Sequence, residues 1–179
     1  MNAQNISDLD TSPGQNRLNK ANKGGVLRFL PPLPLFTLRP LLTHIVKSIA
    51  KKHPELFLRL GNSANKTFLI NPTNLPFFLI LKPDPKNPIL KAHNRRDIIK
   101  HDVYIAGSFA TLLKMIDSKT DSDALFFNRE IVVSGDSEAM VALRNALDDM
   151  DDSLASDVAA SFGPLAPPIR KIFDLVNKA

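Results

Sequence analysis

The alternation of apolar and polar positions is clearest in residues 125–149, which read as a strand, a turn and a helix in succession. A β-branched run at residues 131–133 is typical of a strand, and Gly135 supplies the turn. Asp136 or Ser137 is then placed to cap a helix. The apolar face of that helix carries Met140, Leu143 and Leu147. We interpret Asp136 as a capping residue rather than a catalytic one, because an N-cap oxygen satisfies helix N–H groups that otherwise lack a partner.

A second unit of the same kind precedes this one by 28 residues, counted from Gly107 to Gly135. Gly107 and Ser108 follow a β-rich run, and the serine is in position to cap a helix. The apolar positions of this helix are Phe109, Leu112, Leu113 and Ile116. The repeat predicts two successive strand, cap and helix units.

Helical spacing also marks residues 41–52, where apolar positions share one face and lysines gather near the end. A second short turn is predicted over residues 55–60. Four strands are predicted upstream of the last one, at residues 66–70, 77–81, 89–93 and 103–106. The charged segment at residues 94–102 is either a turn or a strand with an exposed face.

These elements predict an α+β domain with a mixed sheet of about five strands and helices packed on one side. We place the domain at residues 36–150. Residues 1–35 are predicted to be a disordered, polar arm. A Pro-rich segment at residues 29–40 joins it to the domain and is predicted to be extended. That segment is a docking peptide or a plain linker. Residues 151–179 form an amphipathic C-terminal tail that either lies at a membrane interface or packs on the domain.

Composition narrows the chemistry that this domain can carry. Apolar residues make up 44% of the chain, with eleven Phe, one Tyr and no Trp, which suits a cavity for an apolar molecule and equally an ordinary core. The absence of cysteine excludes disulfides and thiolate sites, and it fits the cytoplasm. The first residues lack the pattern of a secretory signal, and no stretch is apolar enough to span a bilayer.

The net charge of +5 hides an asymmetry between the two halves of the chain. Residues 1–100 hold 16 Lys and Arg against 5 Asp and Glu, whereas residues 101–179 hold 7 against 13. The halves therefore carry charges of +11 and −6. A basic half can attract nucleic acid, anionic lipid or an acidic partner, or it can simply be a solvated face. Nucleic acid is not expected, because aromatics are sparse outside the apolar runs and no nucleic-acid-binding motif is present.

No constellation of catalytic or metal-binding residues can be found. The four histidines lack the spacing of a metal site, and there is no Gly-rich phosphate loop or nucleophile elbow. We therefore expect no enzymatic activity, no metal and no cofactor. Among the arginines, Arg129 is the candidate for holding an anionic head group, because a guanidinium offers paired donors to phosphate or carboxylate; Arg95 and Arg96 share that chemistry.

The run LFFNREIVVSGDSE at residues 125–138 resembles the closing segment of the sterol-carrier-protein type 2 family of lipid-binding domains. The double Phe, Arg129, the strand and the Gly135-Asp136 turn carry the resemblance, and the order of elements extends it over residues 36–150. Within that family the run is most similar to bacterial accessory factors of oxygen-independent ubiquinone synthesis. The resemblance implies a sterol-carrier-like fold that encloses a hydrophobic cavity between sheet and helices.

By the same resemblance the ligand would be a polyprenylated ubiquinone intermediate or a membrane lipid, held for partner hydroxylases at or near the inner membrane. The cavity lining would be Phe109, Leu112, Leu113, Ile116, Phe126, Phe127, Met140, Leu143 and Leu147. The same residues would also suit a solid core. The alternative hypothesis is therefore an interaction module that binds no ligand and recruits a partner through its Pro-rich segment and basic arm.

Overall fold

The computed structural model describes residues 35–116, 124–125, 128–150 and 153–161. The predicted N-terminal arm, the first half of the Pro-rich segment, Phe126 and Phe127, and the amphipathic residues near the C-terminus lie outside this part of the chain. The helices and strands are numbered in chain order within it.

The first helix, α1 (Leu35–Lys52), begins inside the Pro-rich segment. The extended conformation predicted for residues 29–40 is therefore wrong for residues 35–40, which are helical and include Pro40. An exposed proline in the second turn removes only one backbone hydrogen bond, and water can satisfy the freed carbonyl. Burial of Leu42, Ile45 and Val46 on the opposite face holds the helix in place.

After His53 the chain enters the predicted second turn, the short helix α2 (Pro54–Arg59). Proline suits this first position because a backbone N–H here would have no helical partner, and proline lacks that N–H. A 3-10 helix follows at Gly61–Asn65 and leads into the sheet.

The sheet has the five strands that the sequence predicts, in the order β3-β2-β1-β4-β5. The strands are β1 (Phe68–Pro72), β2 (Phe77–Lys82), β3 (Ile89–Asn94), β4 (Val103–Gly107) and β5 (Val132–Gly135). The central β1 and β4 are parallel, and the other neighbours are antiparallel. The prediction of a mixed sheet is confirmed.

The two faces of the sheet are buried unequally. One face, the inner face, carries Phe68, Val103 and Ile105, whose side chains are fully buried. All the described helices cover this face, since each adds buried residues to the same apolar cluster: α1, α2, α3 (Phe109–Lys114), α4 (Ser137–Asp148) and α5 (Ser153–Ser161). The opposite, outer face carries a smaller cluster of Leu69, Phe78 and Ile80. The prediction of helices on one side is confirmed.

The sequence pattern does not predict α5. This helix lies beyond the acidic run at residues 148–152, and its Leu154 is buried in the inner cluster. Its Asp157 carboxylate accepts hydrogen bonds from Lys52 Nζ at 2.6 Å and from His53 Nε2 at 2.8 Å. Polar contacts therefore fasten α5 to the C-terminal end of α1.

Both predicted helix caps are present. The Ser108 hydroxyl accepts a hydrogen bond from the Thr111 N–H at 3.0 Å, and Asp136 Oδ1 accepts one from the Ala139 N–H at 3.0 Å. Each capping residue has extended backbone angles, as an N-cap requires. The two strand, cap and helix units thus form as their local sequence indicates.

Replacing Ser108 with alanine is expected to lower the free energy of unfolding by about 1 kcal/mol, because the Thr111 N–H loses its capping oxygen. Urea denaturation monitored by circular dichroism measures this change. Ser108→Thr is the matched control, since it keeps the hydroxyl and is expected to unfold close to the wild-type midpoint. An alanine variant as stable as wild type would show that the cap contributes nothing.

Candidate functional site

The layer between the inner face of the sheet and the helices is where the predicted ligand shell lies. The helix α3 buries Thr111, Leu112 and Leu113 behind its serine cap. The longer α4 buries Met140 and Leu143, together with two alanines that let it approach the sheet closely. Every third or fourth residue of α4 faces this layer, as the 3.6-residue repeat requires.

The structure brings most of the predicted lining residues together. Leu112, Met140 and Leu143 are buried in the inner cluster, and Ile116 and Leu147 pack half-buried against it. Leu113 is also buried, whereas Phe109 is half-buried at the start of α3. Phe126 and Phe127 lie outside the described residues. The assignment of these nine side chains to a ligand cavity remains a prediction, since core and cavity need the same residue types.

An open groove of about 380 Å³ lies between α4 and the end of α2. Its lining consists of Arg59, Glu138, Val141, Ala142, Asn145, Ala146 and Asp149. None of the seven described residues predicted to line the cavity is among them. The groove has an aliphatic floor and a charged rim, where Arg59 Nη1 lies 2.6 Å from Asp149 Oδ2.

Arg129, the predicted head-group residue, has an exposed side chain and a left-handed backbone with φ of +58°. The Glu130 N–H next to it donates to the Leu125 carbonyl at 3.0 Å, and the Asn128 N–H donates to the Ala124 carbonyl at 2.9 Å. This pattern is that of a helix C-terminus, where glycine or asparagine is commoner. Arg129 therefore lies where a helix ends, and its binding of an anion stays a prediction.

A salt bridge fixes the beginning of α4 against the sheet. Lys66 Nζ lies 2.8 Å from Asp136 Oδ2. The hydrogen bond from Lys66 is the largest cause that lowers the pKa of the Asp136 carboxyl, and the capping N–H of Ala139 lowers it further. Asp136 in turn raises the pKa of Lys66. The hydrogen bond from the Ala139 N–H confirms Asp136 as a capping residue.

The histidines are dispersed over the fold. His53 is buried against α5, His93 stacks on Phe78 with ring centroids 5.7 Å apart, and His101 lies 6.1 Å from the Tyr104 ring. In the part of the chain that the structure describes, no three His, Asp or Glu side chains converge as metal ligands would. No described helix is long and apolar enough to cross a membrane.

Sequence reasoning missed two polar features because both depend on residues far apart in the chain. The first is the contact of Lys52 and His53 with Asp157. The second is Arg95, whose exposed side chain donates to the carbonyls of Leu75 and Pro72. The only local signal for the second was the adjacency of Arg95 to the turn that begins the charged segment.

A mixed five-stranded sheet, with the described helices on one face and an apolar layer between, is the arrangement that a sterol-carrier-like domain requires. The model of the SCP-2 sterol transfer family matches residues 46–148. The chain therefore belongs to this family.

Three solved structures are similar to the chain, all at low identity. The UbiJ-SCP2 ubiquinone synthesis protein is 19% identical with a TM-score of 0.47, and the match covers 71% of this chain and 96% of that one. Apo sterol carrier protein 2 from Yarrowia lipolytica is 14% identical with a TM-score of 0.44, covering 69% and 94%. The sterol carrier protein domain 2 of Helicoverpa armigera is 15% identical with a TM-score of 0.41, covering 65% and 91%. No functionally curated protein matches the chain.

Proposed function

We propose that the chain is a non-catalytic lipid-binding protein that holds an apolar molecule between its sheet and its helices. The observation that carries this proposal is membership of the SCP-2 sterol transfer family over residues 46–148. We place this ligand in the apolar layer that α3 and α4 form against the sheet. Burial of a long hydrocarbon chain there would be favourable by about 25 cal/mol per Å².

The narrower proposal concerns the pathway. The run at residues 125–138 resembles UbiT, an accessory factor of oxygen-independent ubiquinone synthesis. We infer that the ligand is a polyprenylated ubiquinone intermediate or a membrane phospholipid, presented to the partner hydroxylases UbiU and UbiV. This protein would act in the cytoplasm and contact the inner membrane peripherally, because such ligands reside in the bilayer.

Lipid extraction and mass spectrometry of protein purified from bacteria grown without oxygen test this function. We expect polyprenyl quinone precursors or phospholipid to co-purify, and added long-chain precursor to raise the melting temperature in a saturable manner. Co-purified phospholipid without any effect of quinone precursors would support lipid binding but contradict the assignment to ubiquinone synthesis. A protein that carries no lipid, and whose melting temperature changes with neither ligand, would contradict this function and favour the interaction module.

The position of the ligand is tested by adding bulk to one side of α4 at a time. Leu143→Phe fills the inner layer, and we expect bound lipid to fall by about tenfold while the variant stays folded. Val141→Phe is the matched control on the same helix, because Val141 is exposed and lines the groove instead of the inner layer. Its lipid content is expected to match wild type.

Circular dichroism and the melting temperature establish that each phenylalanine variant is folded before its lipid is measured. Loss of lipid in Val141→Phe but not in Leu143→Phe would place the ligand in the groove and contradict the predicted lining. Full lipid content in folded Leu143→Phe and Leu112→Phe would show that the inner layer is a solid core.

A further inference from the structure

The segment between β3 and β4 crosses the outer face of the sheet. Since β3 and β1 are both antiparallel to β2, and β4 is parallel to β1, β3 and β4 run in the same direction. The chain must therefore return along the sheet while passing β2 and β1. Ile99 of this crossover packs on the outer cluster of Leu69, Phe78 and Ile80, which shows the face that the crossover covers.

The crossover is held firmly at both ends. At its start, the Arg95 guanidinium donates to the carbonyls of Leu75 at 2.7 Å and Pro72 at 2.8 Å. At its end, Asp102 Oδ2 accepts a hydrogen bond from the Thr67 N–H at 2.7 Å. The segment between these anchors thus has a fixed place on the outer face.

Ile98 stands out on this anchored segment because its side chain is 100% exposed, whereas its neighbour Ile99 packs on the sheet. The fold therefore packs one of two consecutive isoleucines against the sheet and leaves the other exposed to solvent. A β-branched apolar side chain held at a protruding position has no role in the core. It is available to contact another apolar phase beside the protein.

Exposed cations are frequent on the outer face and on the crossover that carries Ile98. Residues 82–101 hold six Lys and Arg and two Asp, a net charge of +4. Arg96 and Lys100 are exposed on the crossover itself. Lys91 pairs across the strands with Ile80, and Lys82 lies two residues after Ile80, so both emerge on the outer face. We name Lys82, Lys91, Arg96, Ile98 and Lys100 the crossover patch.

The two acidic residues among residues 82–101 accept hydrogen bonds from backbone N–H groups. Asp97 Oδ2 accepts the Asn94 N–H at 3.1 Å and lies 3.4 Å from His93, and Asp84 Oδ1 accepts the Lys86 N–H at 2.8 Å. Among the described residues, no salt bridge involves a cation of the crossover patch. Its positive charge is therefore available to an anionic partner.

We propose that the crossover patch docks the protein on an anionic lipid bilayer, with Ile98 inserted between the head groups. The charge complements anionic head groups, and the isolated apolar tip has a partner in the hydrocarbon boundary beneath them. A nucleic acid would use the charge but would leave the exposed aliphatic side chain of Ile98 without a partner. A lipid surface is the partner that uses both features.

This surface deepens the proposed function, which includes peripheral contact with a membrane, but its test does not depend on the bound ligand. The patch lies on the outer face, whereas the proposed ligand site lies on the inner face with the helices. Docking and lipid content are therefore measured separately. Substitutions in the crossover patch are expected to leave co-purified lipid unchanged.

The test is co-sedimentation of the full chain with vesicles of phosphatidylglycerol and phosphatidylethanolamine, compared with vesicles of phosphatidylcholine alone. We expect binding only to the anionic vesicles, with weakening as salt is raised. Arg96→Gln combined with Lys100→Gln is expected to lower the partition coefficient by about 25-fold, at about fivefold per cation. Ile98→Ser is expected to lower it by about tenfold.

Matched controls remove the same groups from the helix side. Lys47→Gln with Lys51→Gln changes the net charge equally on the exposed face of α1, and Leu58→Ser removes another exposed apolar side chain. Both controls are expected to bind as wild type does. Equal losses in control and patch variants, or no binding by wild type, would overturn the proposal. If the patch substitutions instead abolished binding to single-stranded RNA or an acidic peptide, that partner would replace the bilayer.

Discussion

Replacing Gly135 with alanine is expected to cause the largest loss of stability of any single methyl addition considered for this fold. Gly135 has φ of +96°, a backbone conformation that side chains disfavour. An added Cβ would also overlap the backbone carbonyl oxygen of Asp102 and lie 3.3 Å from the Val103 Cα. The carbonyl cannot move away cheaply, because it also accepts the Asp136 N–H at 2.9 Å.

We expect Gly135→Ala to lower the free energy of unfolding by about 3 kcal/mol or more, since strained dihedrals alone cost about 1–3 kcal/mol and the overlap adds to them. The elements β4, β5 and α4 meet at Gly135, so the strain would destabilise all three. Thermal and urea denaturation of the purified protein measure the loss.

Gly61→Ala is the matched control for this prediction. Gly61 also has a positive φ, of +50°, but no atom lies within 4 Å of the added Cβ. The control is therefore expected to lose only the backbone preference, about 1 kcal/mol. Equal losses in the two variants would mean that the contact with Asp102 is unimportant and that positive φ accounts for both.

The sequence predicts the core of this fold well wherever neighbouring residues carry the information. At Gly107-Ser108 and Gly135-Asp136, a strand run, a turn glycine, a cap and a helical face follow in order, and the structure forms both units. Each local preference agrees with the final structure there. The strands of the β1–β2 and β2–β3 hairpins are likewise set by short apolar runs between turn residues.

The sequence-based predictions are wrong where contacts between residues far apart in the chain determine the structure. The prolines of residues 29–40 favour an extended segment up to residue 40, yet burial of one face of α1 carries the helix through Pro40. The helix α5 has a short, alanine-rich sequence with little periodicity, and its place depends on Leu154 and Asp157 meeting α1 and the core. Tertiary contacts override weak local preference in both places.

The candidate site shows a different limit. Periodicity correctly places Leu112, Met140 and Leu143 in one buried layer. It cannot distinguish a layer that parts around a lipid from one that is always closed, because both are built from the same apolar side chains. Ile98 shows a further limit of the sequence pattern. Residues 98 and 99 are the same amino acid, and only the path of the crossover exposes one of them.

Removal of the Asp157 carboxylate is expected to have the second largest effect on stability. Asp157 joins Lys52 and His53 at the end of α1 to α5, and His53 is buried. Asp157→Ala would leave both partners without their acceptor and weaken the cover that α5 gives to the core. We expect a loss of about 2 kcal/mol at neutral pH, the range of hydrogen bonds to charged groups. Asp149→Ala, which removes an exposed ion pair with Arg59, is the control and is expected to lose less than about 1 kcal/mol.

The effect of Asp157 is expected to depend on pH in one direction. The hydrogen bond from Lys52, followed by that from His53, lowers the pKa of the Asp157 carboxyl below its ordinary value of 3.8. The unfolded chain therefore takes up this proton at a higher pH than the folded protein, and the stabilisation is present above that ordinary value and lost as pH falls through the lowered pKa. Urea denaturation from neutral to acid pH should show the difference between wild type and Asp157→Ala shrinking below about pH 4. A difference that stayed constant into acid would mean that Asp157 acts through packing, and one that grew would contradict the lowered pKa.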